Sequence, residues 1–189
     1  MTRVIIAAVW CLAVIGASAW MTRPARRMAR ACVRSGLLPL ILAGGVAQAG
    51  ASEKLVNLPD AKLLSIVSAD ITERQALATA DFTREIYSEG CTFTDEIDTY
   101  AIDDYVRGTK ALFNGPASHV ALASAPQIAP DGTISYRFKE TLAFKIPYLA
   151  PKVDLAGRVE LKRGSDGLIS SSREFWDDSV AEVLQHVYF

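Results

Sequence analysis

The segment ISYRFKETLAFKI, residues 134–146, indicates the fold of this chain. Apolar and polar side chains alternate along it, and a period of two is typical of a strand with one buried face. The pattern returns at 152–162, after a Pro-containing turn at 147–151, and again at 168–177, after a Ser-Asp-Gly turn. Alternating segments joined by short turns predict an antiparallel meander.

The segments before this meander follow a helical period instead. Pro59 opens the first predicted helix, in the way that first-turn prolines usually do. A second helix is predicted from apolar residues spaced four apart through Phe82, and it stops at Gly90. A third is predicted at 102–113, where the apolar residues form one stripe. A further strand is predicted at 119–128, so helices precede strands, and we expect an α+β fold with about three N-terminal helices packed on a curved antiparallel sheet.

The net charge of −1 combines two segments of opposite sign. Six arginines and no acidic residue occur before residue 51, so this leader is basic. Of the 20 lysines and arginines, 14 remain in 51–189, the body, against all 21 acidic residues, which gives the body a charge of −7. Affinity for phosphate depends on clustered basic residues, so the body is not expected to bind nucleic acid.

The leader has the composition of two addressing signals in series. Residues 1–19 contain an apolar run and end in Ala17-Ser18-Ala19, as a secretory signal peptide does. Residues 20–49 begin Arg-rich and free of acid, like a transit peptide, and close with a second apolar run and a second small-x-small site. The alternative is a membrane anchor, but that second run is shorter than the roughly 20 apolar residues a spanning helix needs. We expect removal of both signals, a mature protein that begins near Gly50, and no membrane span in it.

The order of these signals resembles a known address. Trp20 follows the first cleavage site directly, as at the junction of signal and transit peptides in algae with secondary plastids. On this resemblance, the second apolar run is a thylakoid-transfer signal, and the expected location is the thylakoid lumen of a plastid. Secretion and the plastid stroma are the alternatives.

The body offers few residues for metal or cofactor chemistry. Cys91 is its one cysteine, so no disulfide can form within it, and a buried thiol is favoured over a reactive one. His119 and His186 have no further Cys or His at ligand spacing, so no metal site is predicted. Phosphate-binding and dinucleotide-binding glycine motifs are absent from the sequence, and no cofactor is expected.

Three stretches of the body carry a family resemblance. The run IYSEGCTFTD at 86–95, the helical YVRG at 105–108 and the closing REFWD at 173–177 resemble the nuclear transport factor 2-like superfamily. Within it the chain is most similar to the SnoaL-like group and to uncharacterised plastid proteins of that fold. The resemblance implies that 51–189 is one SnoaL-like domain, a cone in which a curved sheet surrounds a pocket roofed by helices. Such folds host enzymes, binding proteins and assembly factors, so the fold leaves the function open.

Asp95 is the first candidate catalytic residue, by resemblance. It ends the first predicted strand, where the ketosteroid-isomerase branch of the superfamily places its general base. That branch also uses a tyrosine on its first helix, and the body has no tyrosine before Tyr87, so the set is incomplete. The alternative is that Asp95, Glu96 and Asp98 form a solvated acidic turn.

Glu140 is the second candidate, and it follows from the strand pattern. Counted by twos from Ile134, it lies on the apolar side of the strand. A buried carboxylate must be paired, hydrogen-bonded or protonated, and a raised pKa suits a general acid or base. The alternatives are an ion pair with an inward Arg163 or Arg173, or a bulge that turns Glu140 to solvent.

The resemblance also suggests residues that line a ligand pocket, namely Tyr105, Phe138, Glu174 and Trp176. On the last predicted strand, Glu174 and Trp176 share one face, while its other face also carries an aromatic residue. The pattern therefore leaves open which face is inward. Trp176 is favoured as a core residue over a ligand platform.

Three functions follow in order of preference. The first is a lumenal pocket protein that binds a small hydrophobic molecule such as a pigment, quinone or lipid fragment. The second is an isomerase, cyclase or dehydratase that uses Asp95 or Glu140 as acid or base. The third is an assembly or interaction module of a photosynthetic complex, which could form a homodimer through its open sheet. Polar groups that converge in a cavity favour an enzyme, a dry cavity favours a binder, and a filled interior with an exposed apolar sheet face favours assembly.

Overall fold

The structure is a computed structural model that describes residues 53–189. The predicted signal peptide at 1–19 and the transit segment at 20–49 lie outside the described residues. The helices are α1 (Asp60–Thr72), α2 (Ala76–Thr79), α3 (Ile102–Leu112) and α4 (Val180–Gln185). The strands are β1 (Tyr87–Thr94), β2 (Thr99–Ala101), β3 (His119–Leu122), β4 (Gln127–Ile128), β5 (Ile134–Ala143), β6 (Lys152–Arg163) and β7 (Ile169–Trp176). Over this part of the chain, no helix has the length and apolar character needed to cross a membrane.

The strands form one sheet in the order β2-β1-β7-β6-β5-β3, with β4 paired to β5. The predicted meander is correct for β5, β6 and β7, which are antiparallel neighbours, and ten residues of β5 pair with β6. The prediction of a wholly antiparallel sheet is wrong, because β1 runs parallel to β7. These two strands are distant in sequence, so their pairing depends on the path of the whole chain and not on a local turn.

The first helix packs as an amphipathic element and also fixes the next segment. Leu63, Val67 and Ile71 are its buried apolar residues, and Asp70 is buried beside them. The carboxylate of Asp70 accepts hydrogen bonds from the backbone N–H of Thr83 at 2.9 Å and from its hydroxyl at 2.8 Å. Asp70 therefore anchors the chain that leads into β1.

The second helix is much shorter than predicted. It has one turn, and Ala80 then adopts a left-handed backbone conformation with φ 50°, which ends the helix. Phe82 follows in an irregular segment, a 3-10 turn at Arg84–Ile86 leads into β1, and Gly90 lies inside β1 and not at a helix end. The apolar residues spaced four apart matched a helical period, but aromatic and β-branched residues from 86 to 94 favour a strand, and tertiary packing selects it.

Alternation along β5 and β6 defines the inner face of the sheet. Ile134, Tyr136, Phe138, Glu140 and Leu142 are all buried, whereas the residues between them are exposed or half-buried. Inner-face residues of β6 are buried in the same alternating way.

One glycine allows the Phe138 ring and the neighbouring strand to approach closely on this face. Gly157 of β6 pairs with Phe138 on one side and with Trp176 on the other. A Cβ atom at Gly157 would lie 2.3 Å from the backbone oxygen of Phe175 and 3.1 Å from the Phe138 ring. Glycine is therefore required here, because any side chain would push the ring and the neighbouring strand away.

Candidate functional site

The inner face brings together most of the residues singled out from the sequence. Tyr136, Val159 and Glu174 lie in one row across β5, β6 and β7. The next row holds Phe138, Gly157 and Trp176, and Glu140 begins the row after it. Tyr105 of α3 covers this face from above and stacks on Phe93 of β1, with ring centroids 4.2 Å apart. Of the four residues predicted to line a pocket, Tyr105 lines the small cavity described below, whereas Phe138, Glu174 and Trp176 lie on the inner face of the sheet outside its lining.

Glu140 points inward, as the alternation predicts. The residue is 6% exposed, and its Oε2 atom is buried without a hydrogen-bond partner among the described residues. Burial, and next the charge of Glu174, raise the pKa of Glu140 well above its usual value. Burial thus favours the neutral form of this carboxyl group.

The ion pair considered for Glu140 does not form. Arg163 instead contacts Asp60 at 2.8 Å, and Arg173 lies 3.6 Å from Glu96. Both arginines are thus engaged elsewhere, and no bulge turns Glu140 to solvent, because the β5–β6 register is continuous.

Glu174 is the second interior carboxyl group. It is half-buried, and its Oε1 atom accepts a hydrogen bond from the indole N–H of Trp176 at 2.5 Å. Burial raises the pKa of Glu174 to about 7, although the bond from Trp176 opposes this rise. The charges of Asp95 and Glu96 raise it further. Glu174 therefore changes its charge close to neutral pH.

The inward face of β7, which the sequence left open, is the face of Glu174 and Trp176. Phe175 lies on the other side, where the guanidinium carbon of Arg158 is 4.2 Å from its ring centroid and that of Arg173 is 5.0 Å away. Arg158 is exposed, so this pair of cation–π contacts marks the outer face.

Asp95 combines features of both interpretations that the sequence allowed. Its Oδ1 atom accepts hydrogen bonds from the backbone N–H groups of Ile97 at 2.8 Å and Asp98 at 2.9 Å, so it does organise an acidic turn. It is nevertheless half-buried, and burial raises the pKa of its carboxyl group. Thr94, the last residue of β1, pairs with Arg173 in the parallel β1–β7 ladder. Asp95, the next residue of the chain, therefore corresponds in position to Glu174, the next residue of β7.

Tyrosines form much of the polar part of a small cavity whose lining includes none of Glu140, Glu174 and Asp95. The cavity has a volume of about 20 Å³ and is lined by Asp70, Tyr87, Tyr105, Tyr136 and Ser172 together with apolar side chains. A water molecule requires roughly 10–15 Å³ of such space, so the cavity has room for about one. Burial raises the pKa of Tyr105 and Tyr136 well above the usual value, so both hydroxyls stay protonated.

Tyr87 and Asp70 were not recognised as site residues from the sequence. Tyr136 shares the face of Glu140 and was assigned to the apolar side of its strand, but it was not singled out as a pocket residue. The signal that could have identified it was its position two rows from a buried carboxyl group. For Asp70 no such signal existed, because helix periodicity does not show that a helical acid faces the sheet.

The remaining chemical groups of this part of the chain do not add a metal or thiol site. Between residues 53 and 189, no group of three or more His, Cys, Asp or Glu side chains could hold a metal ion. Cys91 is 1% exposed, and burial raises the pKa of its thiol to about 12, so it remains an unreactive thiol.

Comparison with known proteins finds similar structures but no similar sequence. No family model and no curated relative matches the chain. Solved structures do match, among them the BvnE pinacolase from Penicillium brevicompactum, with 15% identity, 61% of this chain and 87% of that one covered, and a TM-score of 0.46. The epoxide hydrolase/cyclase-like enzyme SalBIII matches with 14% identity, 68% and 96% coverage, and a TM-score of 0.48.

A third match carries the superfamily name. It is a nuclear transport factor 2-like protein from Salmonella enterica serovar Typhimurium, with 11% identity, 65% of this chain and 96% of that one covered, and a TM-score of 0.48. At such identities a likeness concerns the fold and says nothing about activity. The resemblance to the nuclear transport factor 2-like superfamily predicted from the sequence is confirmed as a resemblance of fold.

Proposed function

We propose that the interior of the sheet is an acid–base site, and that the protein is an enzyme of the isomerase, cyclase or dehydratase kind acting on a small molecule. The observation that supports this most is the Oε2 atom of Glu140, which is buried without a partner on the face that also carries Glu174. An unpaired buried acid costs free energy of folding, and such residues are concentrated at functional sites.

The two carboxyl groups differ in the way that acid–base chemistry requires. Burial raises the pKa of Glu140 well above its usual value, so Glu140 is the proposed proton donor, whereas Glu174, with a pKa of about 7, is the proposed acceptor. Two carboxyl groups on one face with separated pKa values can take the roles of acid and base. Glu174 is thus the proposed base in place of Asp95, and Glu140 is the proposed acid.

The proposed step is a proton transfer next to a carbonyl group. The Glu174 carboxylate removes a proton from carbon, and the electron pair of that C–H bond moves into a new C=C bond. Glu140 gives its proton to the carbonyl oxygen, and the neutral hydroxyls of Tyr105 and Tyr136 can stabilise negative charge there. If the substrate is a β,γ-unsaturated carbonyl compound, Glu174 returns its proton to the γ-carbon while the enol oxygen gives its proton back to Glu140 and the C=O bond re-forms, which completes an isomerisation.

The size of the cavity sets a condition on this proposal. Its volume of about 20 Å³ takes roughly one water and its lining includes neither Glu140 nor Glu174, so a substrate that reaches both acids requires movement of side chains such as the half-buried rings of Phe82 and Tyr105. The polar lining favours an enzyme over the dry binder of a hydrophobic molecule, which is the second candidate. The assembly hypothesis, with a homodimer through the sheet, receives less support, because outer-face residues such as Arg137, Lys139 and Arg158 are charged and exposed.

Proton exchange at carbon tests the proposal. The full chain is incubated in D2O with cyclohexanone as an enolisable probe, and deuterium uptake at the α-carbon is followed by NMR. We expect uptake above the buffer rate and a loss of about 10²–10⁴-fold in Glu174→Gln, the usual contribution of a general base. Glu160→Gln, the same change on the outer face of β6, should leave the rate unchanged. A carboxyl 13C titration that places the pKa of Glu174 near 4.5 would show that the proposed base is an ordinary surface acid.

We further propose, from the leader sequence, that the mature protein resides in the thylakoid lumen. The support is the order of two small-x-small sites with an Arg-rich segment between them. Mass-spectrometric sequencing of protein taken from its own cells should find an N-terminus within a few residues of Gly50. A retained Trp20 would contradict the two-step removal.

A further inference from the structure

Exposed apolar side chains of the described residues are concentrated at the turn between β5 and β6. Between residues 53 and 189, eight large apolar residues are exposed, and five of them lie in this turn or beside it. A group of such side chains in contact with water marks an interaction surface, whereas single exposed ones are ordinary. The five residues, called the apolar tip from here on, are Leu112, Tyr148, Leu149, Tyr188 and Phe189.

The turn itself presents two of these side chains. The backbone N–H of Phe144 donates a hydrogen bond to the carbonyl oxygen of Pro151 at 2.9 Å, which closes the turn. Tyr148 is fully exposed and has a left-handed backbone conformation with φ 66°, and Ala150 has one with φ 41°. This conformation is unfavourable for residues with a Cβ atom. The turn therefore keeps a strained backbone at the point where Tyr148 and Leu149 meet solvent.

Backbone hydrogen bonds place the other members of the apolar tip next to this turn. On one side, the N–H of Lys145 donates to the carbonyl oxygen of Leu112 at 2.9 Å, which joins the end of α3 to the turn. On the other side, Lys152 and Tyr188 exchange two backbone hydrogen bonds of 2.7 and 2.9 Å. The apolar tip is thus assembled from three segments that are distant in sequence.

Three lysines surround the apolar tip without an acidic partner. They are Lys110, Lys145 and Lys152, and the ion pairs among the described residues include none of them. The Nζ atom of Lys145 donates to the carbonyl oxygen of Lys110 at 2.5 Å, so two of these like charges lie close together. Residues 141–153 contain no acid, and the carboxylate of Asp154 accepts hydrogen bonds from two hydroxyl groups. This end of the sheet is therefore basic.

We propose that the apolar tip and its three lysines dock the protein onto a lipid bilayer that contains anionic lipid. Tyrosine side chains are enriched where the hydrocarbon of a bilayer meets its headgroups. Lysine stems lie along apolar surface while their ammonium groups stay at the level of the lipid phosphates. The tip therefore offers apolar contact and charge complementarity on one surface. The proposal concerns the end of a hairpin and is independent of the proposed acid–base site.

The charge of the body favours one orientation on such a bilayer. With −7 in total, the body is repelled by anionic headgroups at long range. The three lysines oppose this locally, because a lysine near an anionic surface strengthens binding by about fivefold. The basic end should therefore face the lipid, and the attraction should weaken as salt screens the charges.

A protein partner fits this surface less well. Lysine is depleted in protein interfaces, and a standard interface covers about 800 Å² on each partner. The apolar tip is the end of a hairpin with one short segment on either side. Lipid headgroups can adapt to such an end, whereas a protein would need a hollow that matches it.

Hydrogen–deuterium exchange of the full chain, followed by mass spectrometry, tests the proposal at the tip itself. Vesicles of phosphatidylcholine with about 30% phosphatidylglycerol are compared with vesicles of phosphatidylcholine alone. We expect the amides at 144–152 to exchange about tenfold more slowly with the anionic vesicles, and this protection to disappear in 1 M salt. The segment 53–58 should exchange at an unchanged rate. Lipid binding by the leader would not by itself protect the turn.

Matched pairs of variants separate the apolar tip from exposed apolar residues elsewhere. Tyr148→Ser combined with Leu149→Ser should abolish the protection of 144–152 by anionic vesicles, because the tip loses its contact with hydrocarbon. Leu55→Ser combined with Val56→Ser changes two other exposed apolar neighbours and should leave the protection unchanged.

A second set of variants examines the lysines. Replacement of all three lysines of the tip by glutamine should raise the lipid concentration for half-maximal protection by about 100-fold, at about fivefold for each charge. Lys62→Gln, Lys139→Gln and Lys162→Gln together change the net charge equally at exposed positions elsewhere, and this control should not weaken the protection.

Three results overturn the proposal. The first is unchanged exchange of 144–152 on anionic vesicles, or equal protection by phosphatidylcholine alone. The second is equal protection in the tip variants and in their matched controls. The third is a dimer that forms without lipid and is lost in Tyr148→Ser, as sedimentation velocity would detect, because a second copy of the chain would then cover the tip.

Discussion

The two faces of the β5–β6–β7 sheet differ in whether their charged residues have partners of opposite charge. On the outer face, arginines and acids are exposed and form ion pairs, as Arg137 does with Asp177. On the inner face, Glu140 and Glu174 have no basic partner, and burial raises the pKa of each. Because the same strands carry both faces, the contrast arises from what packs on each side.

The difference indicates that the inner face of the sheet, and not the outer one, carries charged groups that lower the stability of the fold. Outer ion pairs cost little to form and contribute little, since water screens them. Interior acids lower stability unless they remain protonated, and a chain that retains two of them in an aromatic interior departs from the simplest hydrophobic core. Such local conflicts are expected at functional sites.

The largest contrast between the faces should appear in two phenylalanines. Phe138 is fully buried on the inner face, so Phe138→Ala should lower the free energy of unfolding by about 3–5 kcal/mol. Phe175 lies on the outer face between Arg158 and Arg173, and Phe175→Ala should cost about 1 kcal/mol. Urea denaturation followed by circular dichroism measures both, and similar losses would mean that the faces are packed alike.

A second effect should appear when pH is varied. The folded protein holds the proton of Glu174 up to a pKa of about 7, while the unfolded chain releases it near 4.5, so folded molecules bind more protons between these values. The contribution of Glu174 to stability is therefore complete below pH 4.5 and declines as the pH rises to about 7. The decline in the free energy of unfolding is about 3 kcal/mol, because one pKa unit corresponds to about 1.4 kcal/mol.

The Glu174→Gln variant isolates this effect. Its free energy of unfolding should not show this decline. The stability of the variant relative to the parent protein should therefore increase as the pH rises from 4.5 to 7. Glu160→Gln serves as the outer-face control and should run parallel to the parent. Parallel curves for both variants would show that Glu174 is solvated like any surface acid.

Glu140→Gln distinguishes a paired acid from an unpaired one. A buried ion pair would make this change destabilising by about 3–5 kcal/mol, because the partner charge would be left uncompensated. Since Arg163 and Arg173 contact other acids, we expect the variant to be at least as stable as the parent at pH 7 and the advantage to grow at higher pH. Thermal unfolding at pH 6 and pH 8 provides the comparison, and a clear loss of stability would reveal a partner that the structure does not show.

The smallest effect belongs to the outer face. Asp177→Asn removes the exposed ion pair with Arg137 and should change the free energy of unfolding by less than about 1 kcal/mol. The change should shrink further in 1 M salt, which screens exposed charges. A larger, salt-independent loss would place this pair in a less solvated environment than its exposure indicates.

The strand pattern alone determined much of this protein. Alternation along 134–146 predicted both the long strand and the inward position of Glu140, because side chains on a strand must point to alternate faces. The stripe at 102–113 predicted α3, and Cys91 was expected to be a buried thiol. These are consequences of short-range periodicity, which a sequence expresses directly.

Other features were decided by tertiary structure. The apolar residues around Phe82 fit one helix, yet the chain forms a short helix, an irregular segment and a 3-10 turn there, because Asp70 holds Thr83 and β1 begins soon after. The parallel pairing of β1 with β7 joins strands far apart in sequence, so no local pattern could specify it. The inward face of Glu174 was equally undetermined, since both faces of β7 carry an aromatic residue. Periodicity fixes which residues share a face, but the face that becomes the interior depends on which helices cover it.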